Sequence, residues 1–360
     1  MKKLVYVIED FRVCGGVERI VADKANALST EYGHEVTIIS VYRDDRKQGF
    51  RLEPGVRLVS LLVPMAARSG NPIVRTASRV ATLLRAARRL NSTLKGIRPD
   101  VVFFATTLSA LLLPLCKTKA RKIFESHSAR KFTPYNKLFL PMERTADMVV
   151  CLTEDDAKAF KHAKCVRVIP NFISAPRQFV SDYSIKKAIA VGRLEHEKGF
   201  DLLIASWRQV AERCPDWQLH IYGEGSCRQQ LQGQIDSLGL GGVVKLCGRC
   251  ADMVSRYAEY SLQIVSSRYE GLSITLVEGQ SCGLPAVTVD YEYGARQIVK
   301  NGVNAIIVPQ GEGKALSDAI IKLACDESLR RSYGLEARKT IRKFSKERIM
   351  KMWQEVIKGS

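Results

Sequence analysis

The sequence predicts an α/β chain of two Rossmann-like domains, each built on a parallel sheet, and three observations carry that prediction. A chain of 360 residues suits two domains of roughly 150 residues each, and 46% hydrophobic residues supply a core for both. Short apolar runs such as 4–8, 101–105 and 148–152 show no polar alternation, which marks strands buried on both faces of a parallel sheet. Stretches of helical periodicity lie between such runs, beginning with Val17 to Leu28, so strand and helix alternate as in βα units.

In chain order, Leu4 to Ile8 reads as the first strand and Val17 to Leu28 as the helix after it. Gly15 and Gly16 sit at the turn between them, where adjacent glycines let the backbone approach a ligand and leave the following amides free for an anion. A simple tight turn would explain them equally well. Glu35 to Ser40 is the next strand, and Val56 to Val63 a hairpin-like excursion. Val101 to Ala105 and Lys122 to Ser126 are further parallel strands. The second delivers His127 to the carboxyl end of a strand, the edge at which open α/β sheets bind ligands, although a lone histidine is more often structural. Met148 to Leu152 is followed by Thr153, placed to cap a helix whose first turn carries Glu154, Asp155 and Asp156. Arg167 to Asn171 leads into a polar segment that runs to Ser184, contains Pro176 and serves as the linker. The first domain is therefore read as residues 1–172 and the second as 173–342, with a basic terminal helix, 343–360, returning to the first.

The second domain opens with the strand Lys187 to Val191, and Gly192, Arg193, Lys198 and Gly199 follow at its end. An arginine fork and a lysine point charge suit a diphosphate, although such a pair is common on any surface. Gln218 to Tyr222 leads into Gly223 and Gly225, a Gly-x-Gly without the third glycine of a dinucleotide fingerprint, which argues against a nicotinamide site. Val243 to Cys247 leads to Gly248, Arg249 and Cys250. The spacing of Cys247 and Cys250 invites a metal or redox reading, but a structural zinc normally takes four ligands and there is no second pair. One sulfur on a strand and one on its loop is the plainer reading.

The most informative stretch comes next. Leu262 to Val265 reads as a buried strand, 266–273 as a loop, and Ile274 to Ser281 as a helix closed by Gly283 and Pro285. Glu270 directly precedes Gly271, and Glu278 follows with seven residues between the two acids. The amides of Gly271, Leu272, Ser273 and Ile274 would then face a crevice at a helix N-terminus, where unpaired N–H groups and the helix dipole favour an anion. Carboxylates aimed at that anion would repel it. Glu270 and Glu278 therefore read as acceptors for hydroxyl groups on either side, a sugar at one end and a ribose at the other; taken alone they would be ordinary solvated acids.

The formal net charge of +19 points to an anionic partner: nucleic acid, an anionic membrane or a phosphorylated substrate. No acid occurs from Gly55 to Pro99, while Arg68, Arg75, Arg79, Arg85, Arg88, Arg89, Lys95 and Arg98 accumulate. Helical spacing puts Ile73, Ala77, Val80, Leu84, Ala87 and Leu94 on one face, read as core-facing, with Arg75, Arg79, Arg85 and Arg89 opposite. Lacking the i,i+4 acids that commonly stabilise such faces, the basic side is read as lying against anionic lipid together with Lys117, Lys119, Arg121, Lys122, Arg130 and Lys131. Each basic residue near the surface contributes up to about 1 kcal/mol; a merely solvated face is the alternative. Ten cysteines at irregular spacing, with no signal peptide at the start, suit reduced thiols in a cytoplasm. No apolar run is long and clean enough to span a bilayer.

Glu270 with Gly271, Glu278, the run from Cys282 to Val287, Asp290, Gly294, Asn301 and Gly302 together resemble the C-terminal signature of the retaining glycosyltransferases of family four, including bacterial capsule, exopolysaccharide and lipopolysaccharide enzymes. The similarity extends over nearly the whole chain. It implies the GT-B fold, with two Rossmann-like domains facing a cleft, an acceptor in the first and a nucleotide sugar in the second, and a terminal helix crossing back. It further implies that Gly15 and Gly16 border the acceptor and the donor phosphate, that His127 makes a polar contact with the donor sugar, and that Arg193 and Lys198 hold the diphosphate. Gly223 and the segment of Gly248, Arg249 and Cys250 lie where the family holds the nucleotide. Glu270 is implied to orient the sugar hydroxyls and Glu278 the ribose diol. Retention at the anomeric carbon follows, with the leaving phosphate helping to deprotonate the acceptor. No Asp-x-Asp pair occurs, so no cofactor or metal is expected; Asp290 and Glu292 are the nearest candidates, in a different setting. The chain departs from the family pattern at Gly279, Gln297 and Ala305, which leaves the sugar pocket open.

By analogy the donor is read as a UDP-hexose or UDP-N-acetylhexosamine and the acceptor as lipid-linked or polysaccharide, with the enzyme on the inner face of the cytoplasmic membrane. Three alternatives stand beside this reading: a non-catalytic scaffold, a nucleic-acid-binding protein and a nucleotide-sugar epimerase. Nucleic acid is not expected, because no binding module or aromatic stacking platform accompanies the charge.

Overall fold

The computed structural model describes residues 1–12, 15–42, 49–66, 70–127, 130–132, 139–173, 181–250, 252–292 and 294–359. Arg68 of the basic run and Pro176 of the linker lie outside the described residues. The chain divides into two compact units, Met1–Pro170 with Met350–Ser360, and Asn171–Ile349. The division thus falls two residues before the expected boundary, and the segment grouped with the first unit starts at Met350 rather than at residue 343.

The first unit carries a seven-stranded sheet of β1 (Lys3–Ile8), β2 (Glu35–Tyr42), β3 (Val56–Val63), β4 (Val101–Phe104), β5 (Arg121–Ser126), β6 (Met148–Cys151) and β7 (Val166–Val168), in the order β3-β2-β1-β4-β5-β6-β7. All pairs are parallel. The central strands β4 and β6 are buried at every residue, as continuous apolar runs should be. β3 corrects an expectation: it is no hairpin arm but an edge strand in parallel register with β2, Val36 opposite Val56 and Ile39 opposite Val59. Arg57 and Leu62 are exposed among its buried and half-buried residues, which gives it the look of a half-solvated hairpin strand. β7, read as the approach to the linker, is the other edge.

The helix Pro72–Ile97 is present, capped by Asn71, whose side chain accepts from the amides of Ile73 and Val74. Its buried face differs from the expected one. Thr82, Ala86, Ala87, Leu90 and Leu94 pack inward, whereas Ile73, Val80 and Leu84 are 79%, 51% and 48% exposed. Arg89 is drawn away from the basic side: its guanidinium donates to the carbonyl of Leu62 at 2.8 Å and to that of Leu61, at the end of β3.

The terminal segment of the first unit brings Trp353, which is 4% exposed, edge-on to Phe103 at 5.9 Å between centroids. Arg121 and Lys2 donate to the carbonyls of Val356 and Ile357, in the last turn of the helix Lys346–Lys358, where cations also suit its dipole. Burying a large aromatic of this kind contributes about 1.5–3 kcal/mol.

The second unit carries a six-stranded parallel sheet of β8 (Lys187–Val191), β9 (Gln218–Tyr222), β10 (Val244–Gly248), β11 (Leu262–Val265), β12 (Ala286–Val289) and β13 (Ala305–Val308), in the order β10-β9-β8-β11-β12-β13. β11 and β12 are buried throughout. Among the described residues, no helix is long and apolar enough to cross a membrane.

Candidate active site

In the second unit, strand order reverses direction of growth between β8 and β11, and a crevice at such a point is where open α/β sheets bind ligands. The loop after β8 carries Arg193 and Lys198, and the loop after β11 carries Glu270. Lys198 Nζ lies 2.6 Å from Glu270 Oε1, with the two side chains 16% and 13% exposed. Ser267 donates its hydroxyl to the same Oε1 at 2.7 Å. Glu270 is thus held on its own loop and across the crevice, yet the pair keeps access to solvent.

Glycines bring the loops together. Gly199 has φ +63°, and a Cβ there would come 2.1 Å from the Ser266 carbonyl oxygen; at Gly223, with φ +147°, it would come 1.8 Å from that of Gly192. No side chain could occupy either place. The Gly223 amide donates to the Gly248 carbonyl and the Gly192 amide to that of Tyr222, so the ends of β8, β9 and β10 meet. Arg193 is 74% exposed and pairs with Glu197 at 2.5 Å, a partner on its own loop that an anion can displace.

The helix Ile274–Ser281 forms over the expected residues. Ser273, its N-cap, makes no side-chain capping bond, in contrast to Thr153, whose hydroxyl accepts from the Asp156 amide as expected. Gly271, Leu272, Ser273 and Ile274 lead into this uncapped end, where amides favour an anion. Glu278 is 5% exposed, and the Tyr257 hydroxyl stands 3.4 Å from its Oε2. Tyr291 is buried; burial first, and the nearby Glu270 second, push its hydroxyl well above the usual tyrosine range.

Asp290 is engaged by Arg296 through three contacts, at 3.0, 3.2 and 2.6 Å. Cys247 stands on β10 and Cys250 on the loop beyond Gly248, where its thiol lies 3.4 Å from the Asp252 carbonyl. Arg249 lies between them on the same loop. Among the described residues, no three His, Cys, Asp or Glu side chains converge as metal ligands.

In the first unit the corresponding switch point lies between β1 and β4. Gly15 is the N-cap of the helix Gly16–Thr30. Its own amide is engaged: Glu18, in the first turn, turns its carboxylate back to it. Burial pushes the Glu18 carboxyl up, against hydrogen bonds from its own amide first and that of Gly15 last. Glu9, at the end of β1, accepts from the Leu108 amide at 3.2 Å and is likewise raised by burial.

His127 follows β5 with its side chain 6% exposed, and its Nε2 lies 3.1 Å from Glu125 Oε2. Lys24 Nζ binds the same oxygen, and the Lys24 and Glu125 side chains are 1% and 2% exposed. Burial pushes the Glu125 carboxyl up, but Lys24 and His127 outweigh it and hold it below the usual range; burial lowers Lys24 against the pull of Glu125. The two remain an ion pair.

The structure therefore gathers Arg193, Lys198, Gly223, Glu270, Glu278 and the 271–274 amides on one edge of the second sheet, and Gly15, Gly16 and His127 on the corresponding edge of the first. Sequence reasoning missed Ser267, Tyr257 and Tyr291 in one unit and Glu9, Glu18, Lys24 and Glu125 in the other. For Glu125 a local signal existed: an acid two residues before the histidine, on the strand that leads to it.

Comparisons with known proteins agree with this division. The sequence model for "Glycosyl transferases group 1" matches residues 175–340, and that for "Glycosyltransferase Family 4" matches residues 14–177. An exopolysaccharide phosphotransferase of Streptomyces coelicolor is 27% identical over 95% of this chain, which spans 39% of that protein's length. The amylovoran biosynthesis glycosyltransferase AmsD of Erwinia amylovora is 26% identical over 99% of this chain and 100% of its own. A solved mutant of S. aureus TarM, in complex with fondaparinux, α-GlcNAc-glycerol and UDP, superimposes with a TM-score of 0.85 at 15% identity, covering 99% of this chain and 100% of that one. With matches to both halves and this fold, the chain belongs to the family 4 glycosyltransferases and has the GT-B architecture.

Proposed function

We propose that this glycosyltransferase transfers a hexose or N-acetylhexosamine from a UDP-sugar, with retention and without a metal, to a lipid-linked or polysaccharide acceptor in cell-surface glycan synthesis. The observation that carries the reading is the solvent-accessible Lys198–Glu270 pair at the switch point of the second sheet. An arriving diphosphate competes with Glu270 for Lys198 and with Glu197 for Arg193. Once bound, Arg193, Lys198 and the amides of residues 271–274 meet the charge that develops on the leaving diphosphate, an arrangement that needs little reorganisation during reaction. Glu270, released from Lys198 but still held by Ser267, accepts from the sugar hydroxyls. Glu278 serves the ribose diol and His127 the donor sugar, while the leaving phosphate takes the acceptor proton. The UDP named with the TarM mutant and the exopolysaccharide named for the Streptomyces relative support the donor and acceptor classes.

The test is transfer from UDP-glucose, UDP-galactose and their N-acetylated counterparts to a lipid-linked glycan mixture, with and without EDTA, and proton NMR of the new anomeric centre. A retained anomer formed in EDTA agrees with the proposal. An inverted product, or strict dependence on added metal, contradicts it.

We further propose peripheral attachment to the cytoplasmic face of an anionic membrane. The stripe of Ile73, Ala77, Val80 and Leu84 is exposed, flanked by Arg75, Arg79, Arg85 and Arg88, and lies in a stretch without acids. An apolar stripe bordered by arginines is the pattern of a helix lying in the lipid interface. Sedimentation with phosphatidylglycerol vesicles, compared with phosphatidylcholine, tests it: the protein should pellet with the anionic vesicles and lose this on Val80→Asp with Leu84→Asp. Equal partitioning into both lipids contradicts it.

A further inference from the structure

We infer that Lys24 and Glu125 are positioning residues that lock His127 in the tautomer carrying its hydrogen on Nε2, so that Nδ1 is offered to the ligand as an acceptor. Three side chains from separate places in the sequence meet here: Lys24 from the helix Gly16–Thr30, Glu125 from β5, and Trp353 from the terminal segment. Glu125 Oε2 is shared, taking Lys24 on one side and His127 Nε2 at 3.1 Å on the other. A carboxylate only accepts, and the lysine keeps this one ionised, so the histidine contact requires a hydrogen on Nε2. The neutral ring then has its lone pair on Nδ1.

Nδ1 is buried and has no hydrogen-bond partner among the described residues, a state that invites a donor. A sugar hydroxyl at the carboxyl end of β5 supplies one. Nothing about stability calls for the ion pair: buried charges replaced by well-packed apolar side chains are often neutral or favourable. Its geometry instead resembles that of metal-binding histidines, whose spare ring nitrogen is fixed by a carboxylate behind it, although here no metal ligands converge among the described residues. Trp353 completes the arrangement, its ring centroid 3.9 Å from Lys24 Nζ, with that of Tyr6 at 5.2 Å. The aromatic faces attract the ammonium and leave Glu125 as its anionic partner. The terminal segment thereby supports the histidine at one remove, through Lys24.

The role in sugar transfer rests on the glycosyltransferase reading; the tautomer itself does not, and the experiment separates them. Nitrogen-15 histidine-labelled full-length protein is recorded at pH 8 in two-bond proton–nitrogen spectra, with His127→Asn identifying its signal among the five histidines. The wild type should show a protonated Nε2 and an unprotonated Nδ1. Glu125→Gln, and Lys24→Met with Glu125→Gln to remove both charges from a folded core, should give a tautomer mixture, because an amide can donate as well as accept. In transfer, both variants should lose about 10- to 100-fold in kcat while UDP binding stays within twofold. A wild-type His127 that carries its hydrogen on Nδ1 or on both nitrogens, or one whose tautomer is the same in both variants, overturns the inference. A locked tautomer in a protein without transfer activity overturns the proposed function instead.

Discussion

Each unit holds a lysine–glutamate pair, and the two have opposite consequences. Lys24 and Glu125 are 1% and 2% exposed, and the lysine is further enclosed by Trp353 and Tyr6. Lys198 and Glu270 are 16% and 13% exposed at the ends of strands. In the first pair neither charge has water to return to, so the partners are bound to each other for as long as the unit is folded. In the second, water and ligands reach both groups, and an anion can take the lysine while a hydroxyl takes the acid. The same two side chains serve as a fixture in one place and as an exchangeable site in the other, and burial makes the difference.

The sharpest way to break that comparison is to remove one charge from each pair. Lys24→Met leaves Glu125 buried with His127 but without its cation, and should cost about 3–5 kcal/mol of stability. Lys24→Met with Glu125→Leu should recover most of it, as measured by urea denaturation. Lys198→Ala, by contrast, should leave the melting temperature within a few degrees and lower kcat by about 10²–10³-fold, the scale for losing one preorganised donor. Equal losses of stability in the two single variants would erase the distinction. Glu278→Ala should weaken UDP binding by about 1.5–3 kcal/mol, the worth of hydrogen bonds to a charged group, with little change in kcat at saturating donor.

The gentlest perturbation is pH. Asp156 has its carboxyl pushed up to about 6, by burial first, against hydrogen bonds from the Arg130 amide and Ser126. Its folded pKa lies above the unfolded one, so between about pH 4 and 6 the folded state binds more protons. Its contribution to stability therefore falls as pH rises through that window, by at most about 1.4 kcal/mol per unit. Asp156→Asn should flatten the dependence of the denaturation midpoint there; an unchanged slope would remove Asp156 from the account.

Much of the second unit was legible in the sequence because its signals are local. β11, the loop of residues 266–273 and the helix Ile274–Ser281 are a contiguous apolar run, a polar stretch and a periodic segment ended by Gly283, whose φ of +81° suits glycine. β3 reads as a hairpin arm because exposed Arg57 and Leu62 interrupt its apolar run, and a strand's side chains do not show which way its neighbour runs. The apolar stripe of Ile73, Val80 and Leu84 was assigned to the core because periodicity identifies a face without saying what covers it. Ser267, Tyr257 and Tyr291 became visible only when the loops after adjacent strands met, and Lys24 is 101 residues from Glu125. Glu18 was hidden differently: its carboxylate folds back on the Gly15 amide, a contact made only once the turn has formed.

The most direct measurement is calorimetric titration of the wild type and Lys198→Ala with UDP, its sugar conjugates and GDP. Selective binding of the uridine ligands, weakened at least tenfold by Lys198→Ala, is the predicted result. Absence of binding to any of them, or equal affinity in the variant, would contradict the claim that the exchangeable pair of the second unit is the donor site.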